Sequence, residues 1–224
     1  MGTHTTFQAG TTTTAGYLAL PERGHGPGVL VLHAWWGLTA PIVTLCERLA
    51  QGGFVAFAPD LNAGRTAATI ADAEALMKAR DRRATSAAAD GALAYLHAHP
   101  AVAVEQLGVI GFSMGGSMAL DLASDHPDQV NAAVVFYGTG SADFTAARAA
   151  YLAHYGDHDA WEPDDEVQSM LADIRAAGRE VTLHVYPGVS HWFFESDRPE
   201  YDPRAADLAW ERTRAFLRER LNAA

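Results

Sequence analysis

Four uninterrupted apolar runs constrain this chain more than any other feature: "GVLVLH" (28–33), "FVAFAPD" (54–60), "LGVIGF" (107–112) and "VNAAVVFYG" (130–138). None alternates polar with apolar residues, so each reads as a strand buried on both faces. Helical patterns lie between and after them. A helix is predicted at about 41–51, opened by Pro41 and closed by Gly52-Gly53. Segment 66–98, rich in Ala, Leu, Glu and Arg, predicts one or two helices ending before Pro100, and a further helix runs from 114 to about 125. Downstream, strands are expected at 149–156 and 180–186, a helix at 164–177 ending at Gly178, and an amphipathic helix at about 203–221. Two N-terminal strands (about 4–9 and 15–20) are expected around a turn at "TTTT" (11–14). Alternating strands and helices with short links imply an α/β fold with a mostly parallel sheet covered by helices on both faces. At 224 residues the chain suits one domain, 1–224. Ligands in such folds bind beyond the carboxyl ends of the strands.

Composition narrows the function. The formal net charge of −11 argues against nucleic acid and anionic membrane surfaces as partners, because both demand clustered Lys and Arg. The start "MGTHTTFQAGTTTTAG" has no basic, apolar leader, and no apolar stretch approaches the roughly 20 residues a bilayer span needs. A cytoplasmic protein is expected, as a monomer or small homo-oligomer. The single cysteine, Cys46, excludes an internal disulfide. Ile42, Leu45, Cys46 and Leu49 share one helical face, so Cys46 reads as core.

"GFSMG" (111–115) matches G-x-S-x-G where an apolar strand turns sharply into a helix. Such a turn strains the serine and lifts its hydroxyl out of the sheet, while the glycines permit close chain approach. The helix beginning at Met114 aims free N–H groups and a partial positive charge at the same point. Ser113 is therefore the candidate nucleophile. A serine needs a histidine base and a carboxylate to orient it, in the chain order Ser, acid, His. His184 lies inside a strand, whereas His191 lies in the loop just after it and is the candidate base. The acid belongs in "HYGDHDAWEP" (154–163), where Asp157 and Asp159 both qualify by position. His154 and His158 nearby raise a metal reading with Asp157, but nothing sets these residues on one helical face. Neither metal nor cofactor is expected.

Two backbone donors should take an oxyanion. The N–H of Met114 follows the nucleophile, and the amide of Trp35 in "HAWWG" follows strand 28–33. Trp36, Tyr137, Trp161, Trp192 and Phe193 lie in loops or strand ends expected to meet there, with Phe194 beside them. They suggest an apolar, ring-accepting pocket. Arg65, Arg80, Arg82, Arg83 and Arg198 read as solvated surface. The short link "TGSADFTAARA" leaves no room for a lid or cap domain.

With these residues assembled, the chain resembles the dienelactone hydrolase family of α/β-hydrolases over nearly its whole length. The resemblance rests on "LHAWWGL" (32–38), "FVAFAPDLNAGRTA" (54–67), "GFSMGG" (111–116), "HYGDHDAWEP" (154–163) and "YPGVSHWFFESDRPEYDPRAADLAWERTRAFL" (186–217). It implies an acid three residues after a glycine, which selects Asp159 after Gly156, and it also places the second oxyanion amide on Trp35. Three positions depart from the pattern. Ser113 stands where the name-giving enzymes carry cysteine, Ala34 where they keep a glutamate, and Glu195 where an arginine helps bind the substrate carboxylate. The expectation is a serine hydrolase acting on small neutral esters or lactones. Acyl transfer or peptide cleavage on the same residues, or a non-catalytic binding module, are the alternatives.

Overall fold

The computed structural model describes residues 2–221. Eight strands form one mixed sheet, and each strand's position follows from what its residues bury. β1 (Gly2–Ala9) and β2 (Thr12–Ala19) form an antiparallel hairpin at one edge. The turn between them is Gly10-Thr11, with Gly10 at φ 59°, so Thr12–Thr14 belong to β2 and not to a turn at 11–14. Threonine is β-branched and suits a strand, whereas Gly10 supplies the left-handed backbone that the reversal needs.

β2 then pairs antiparallel with β4 (Val55–Pro59). From β4 onward the sheet is parallel through β3 (Gly28–Leu32), β5 (Leu107–Phe112), β6 (Val130–Phe136), β7 (Ala150–Gly156) and β8 (Val181–Tyr186). The spatial order is β1-β2-β4-β3-β5-β6-β7-β8. The apolar runs behave as their composition demands: every residue of β3, β4, β5 and β7 is buried.

Helices cover both faces. On one, α1 (Ala40–Gln51) and α6 (Pro203–Arg220) lie side by side, with the Arg48 guanidinium over the Trp210 ring and 3.6 Å from Asp207. α1 starts at a proline in its first turn and buries Ile42, Leu45, Cys46 and Leu49. On the other, α3 (Arg82–His97) packs its Ala88, Ala92, Leu93 and Leu96 face against the sheet beside α4 (Met114–Asp125). α2 (Ile70–Ala79) is a separate helix. The break comes at Arg80-Asp81, where the Asp81 carboxylate caps α3 by accepting from the N–H groups of Arg83 and Ala84. α5 (Asp164–Ala176) leads into β8, and Gly178 (φ 73°) ends that helix as anticipated. Among the described residues no helix is long and apolar enough to cross a membrane.

The chain leaves β3 toward β4 on one side and returns to β5 on the other. The crevice above the carboxyl ends of β3 and β5 is therefore the switch point where open α/β sheets place ligands. The loops after β3, β5, β7 and β8 all open at that end. The β6–β7 connection, residues 137–149, carries neither helix nor strand, so no cap covers the crevice from there.

Candidate active site

Ser113 sits between β5 and α4 with φ 50° and ψ −115°, a conformation that L-residues rarely adopt. Three contacts hold it. Its N–H donates to Phe136 O at 2.9 Å, and its own carbonyl accepts from Gly116 N–H at 2.7 Å and Ser117 N–H at 3.2 Å. The flanking glycines are required by space: a Cβ on Gly111 would lie 2.0 Å from Gly115 O, and one on Gly115 would lie 2.2 Å from Leu32 O. That second approach brings the start of α4 against the loop after β3, which carries Trp35.

The Trp35 loop is pinned from beneath by His33. Leu61 N–H donates to its Nε2 at 3.0 Å, so Nδ1 carries the proton and donates to Ala34 O at 2.6 Å. Complete burial holds its pKa below the ordinary value, which keeps the ring neutral. Asn62 Nδ2 donates to Trp35 O at 3.1 Å. The Met114 N–H, at the first residue of α4, has no intrahelical acceptor.

His191 follows β8 and Asp159 follows β7. His191 Nε2 lies 3.0 Å from Ser113 Oγ, and its Nδ1 lies 2.7 Å from Asp159 Oδ2. Both side chains are nearly removed from solvent, at 3% and 4% exposure. The other oxygen of Asp159 accepts from the N–H groups of Trp161 (2.9 Å) and Glu162 (3.1 Å), so its carboxylate is fixed at both ends. Asp157 faces elsewhere. It accepts from Gly188 N–H at 2.7 Å and ties the β7 loop to the turn after β8. Gly156 lets those two loops touch, since a Cβ there would meet Val189 O at 2.3 Å.

The residues of the metal reading do not converge. His154 is buried inside the sheet between Tyr186 Oη (2.8 Å) and Thr213 Oγ1 (3.1 Å), stacked on Phe136, while His158 is exposed. His184 is half-buried and stacks on His154, away from Ser113.

The aromatic residues divide by burial, and this corrects the pocket expected from sequence. Trp36, Tyr137, Trp192 and Phe193 are buried, at no more than 3% exposure, and offer almost no surface to a ligand. Phe193 is core, packed on Tyr186 and Phe136. Trp192 (φ 64°) packs edge-on to His191 at 4.9 Å and edge-on to Trp36 at 5.0 Å. Trp161, 45% exposed, and half-buried Trp35 remain accessible, their rings 5.2 Å apart. The physical reason is crowding: four indoles share one loop cluster, and the outer pair shields the inner.

Arginines also depart from the solvated-surface reading. Arg80 is half-buried with its guanidinium against the Met114 thioether, and Arg198 stacks 4.3 Å over Trp36 with its side chain 9% exposed. Arg65, Arg82 and Arg83 are exposed. Sequence reasoning missed the state of two carboxyls. Glu195 is buried, bonded to Tyr137, and burial pushes it up to about 8. Glu162, receiving a 2.6 Å hydrogen bond from Thr139 Oγ1, is pushed up to about 7 chiefly by burial. The run of aromatic residues just before Glu195 in "HWFFES" was the available signal.

Comparison with known proteins matches residues 14–221 to the model of the dienelactone hydrolase family. The chain belongs to that family. Among relatives of this dienelactone hydrolase family chain, "Protein usf" of Aquifex pyrophilus is 34% identical, covering 99% of this chain and all of the relative. A Bradyrhizobium protein named "Probable 2-oxo-3-(5-oxofuran-2-ylidene)propanoate lactonase" is 32% identical, covering 90% of this chain and 88% of its own. The crystal structure of a protein described as a candidate dienelactone hydrolase, from Klebsiella pneumoniae, superposes with a TM-score of 0.86 at 26% identity. That match covers 97% of this chain and 98% of the other. The fold is that of the α/β-hydrolases, and the family is one of hydrolases.

Proposed function

We propose that this dienelactone hydrolase family member is a serine hydrolase that cleaves small neutral carboxylic esters or lactones through an acyl-enzyme. The observation that carries the reading is the hydrogen-bonded chain Ser113–His191–Asp159, with links of 3.0 and 2.7 Å. His191 Nε2 takes the Ser113 proton as Oγ bonds to the substrate carbonyl carbon, and Asp159 holds the imidazole tautomer and stabilises the imidazolium. The N–H groups of Met114 and Trp35 receive the oxyanion. The carbonyl reforms as the C–O bond to the alcohol breaks, and the alcohol oxygen takes the proton from His191. Water then attacks the acyl carbon, gives a proton to His191, and releases the acid as the proton returns to Ser113. The net reaction is ester plus water to acid plus alcohol.

Substrate class follows from what stands around Ser113. Glu195, at the place where an arginine would meet a substrate carboxylate, offers no positive charge. Trp35 and Trp161 present flat apolar faces, suited to an aryl or alkenyl group. The deciding experiment is a panel of aryl esters, alkyl esters and lactones with wild-type protein and Ser113→Ala, alongside fluorophosphonate labelling. Labelling at Ser113 and a fall of several powers of ten in kcat/KM support the reading. A variant that keeps most of its activity overturns it.

A further inference from the structure

Glu195 is fully buried four residues past His191, and its carboxyl has one side-chain partner, the Tyr137 hydroxyl, which donates to it at 3.0 Å. Tyr137 in turn packs its ring against the imidazole of His191, with centroids 4.7 Å apart. The phenol thus stands between the two residues, its ring tilted against one and its oxygen bonded to the other. Its backbone is itself constrained, at φ 39°, with its N–H donating to His154 O at 2.8 Å. The His191 segment is wound tightly over this pair: Glu195 N–H donates to Trp192 O and Arg198 N–H to Glu195 O, each at 3.0 Å. The carboxyl supplies the acceptor that the buried Tyr137 hydroxyl needs, at the penalty of burying an acid where a neutral acceptor would serve.

We propose that Glu195 is a positioning residue for His191, acting through Tyr137: the carboxyl fixes the phenol, and the phenol's ring fixes the imidazole between Ser113 and Asp159. The inference rests on the reading of His191 as general base. It makes the protonation of Glu195 matter. Burial raises this carboxyl most; the Tyr137 hydrogen bond and Arg198 lower it, while Asp197 and Glu200 raise it further, leaving it at about 8. Burial first, then Glu195 itself, with smaller additions from Asp159 and Asp197, keep the Tyr137 hydroxyl protonated, so the phenol stays a donor. At neutral pH Glu195 is uncharged, accepting from Tyr137 while carrying one O–H of its own. Once ionised, the carboxylate accepts a stronger, charge-assisted bond from the Tyr137 hydroxyl, which is why that bond lowers its pKa, so ionisation tightens the link to His191.

The test is the pH dependence of kcat/KM on an aryl ester, read between about pH 6 and 9.5. Wild type is expected to gain activity on the alkaline side with a midpoint near 8. Glu195→Gln, which keeps the acceptor and cannot ionise, is expected to lack that gain. Tyr137→Phe is expected to lower kcat about tenfold with KM changed less than about twofold. Glu195→Leu, which removes the acceptor, should do the same, and the double variant should cost nothing more, because both act through one bond. An unchanged alkaline midpoint in Glu195→Gln, or multiplicative effects in the double variant, overturns the proposal. Should Tyr137→Phe fail to fold, the profile of Glu195→Gln alone decides. NMR titration of the His191 imidazole reads the same coupling without turnover. A perturbation near pH 8 that vanishes in Glu195→Gln supports the link even if Ser113→Ala stays active, and its persistence in that variant defeats it.

Discussion

His191 Nδ1 and Asp159 Oδ2 lie 2.7 Å apart across two loops that leave neighbouring parallel strands, β7 and β8. Asp157, two residues earlier, points instead to Gly188 N–H. The two aspartates therefore fail differently when neutralised. Asp159→Asn leaves an amide where the imidazole needs a carboxylate and favours the wrong tautomer, so kcat should fall by about 10³- to 10⁴-fold with little change in melting temperature. Asp157→Ala should retain kcat within about threefold and lose on the order of 1 kcal/mol of stability, the worth of the hydrogen bond from Gly188 N–H. Steady-state kinetics and thermal melts on the two variants separate these outcomes.

Gly156 is where the same two loops touch. Adding a Cβ places it 2.3 Å from Val189 O, far inside contact distance, and the obstacle is backbone rather than a movable side-chain tip. Gly156→Ala should move the His191 loop away from Asp159 and lower kcat/KM by at least about a hundredfold, since displacement by an ångström is costly in positioned catalysis. Substrate kinetics on folded variant protein, checked by circular dichroism, measures this. Near wild-type activity would mean that the loops have slack.

The strands were legible because both-face burial leaves uninterrupted apolar runs, and the glycines around Ser113 announced the turn that the backbone at φ 50° requires. His191 was legible by elimination, as it lies in a loop just after a strand. Asp157 and Asp159 could not be separated by spacing, because the choice depends on a long-range hydrogen bond to a loop more than thirty residues away. The same limit hid the division among the indoles. Which ring covers which depends on how three loops pack, so Trp161 ends up exposed and Trp192 buried. Arg80 and Arg198 read as surface because arginine usually is. Their stems and guanidinium planes lie instead on Met114 and on Trp36.

Cys46 gives a negative control with a physical reason. It is fully buried on the inner face of α1, and burial raises its thiol well above the ordinary range, so almost no thiolate forms at neutral pH. Iodoacetamide on native protein should leave both the thiol and hydrolysis intact. Alkylation should proceed only in denaturant, as thiol titration with and without urea would show.

Two neutral histidines should shape the acid side of stability. His33 and His154 are completely buried, and desolvation lowers both pKa values, with His184 and Arg212 adding to the effect on His154. The unfolded chain takes up protons at both positions as pH falls through about 6.5, while the folded chain refuses them. Each therefore withdraws stability below that pH. In an NMR titration these two rings should take up their protons at lower pH than an unperturbed imidazole.

Glu195 works in the opposite direction. Its folded value of about 8 lies above the ordinary value of 4.5, so between those limits the folded chain holds a proton that the unfolded chain has lost. Its contribution to stability is complete below about 4.5 and disappears as pH rises through about 8. Glu195→Gln cannot lose that contribution. The stability of the variant relative to wild type should climb with pH across this window, by up to about 1.4 kcal/mol per pH unit. Urea midpoints for both proteins at a series of pH values, with m unchanged, give the difference directly. A difference that is flat with pH would mean that Glu195 ionises as an exposed glutamate does, and that its burial beside Tyr137 is relieved in solution.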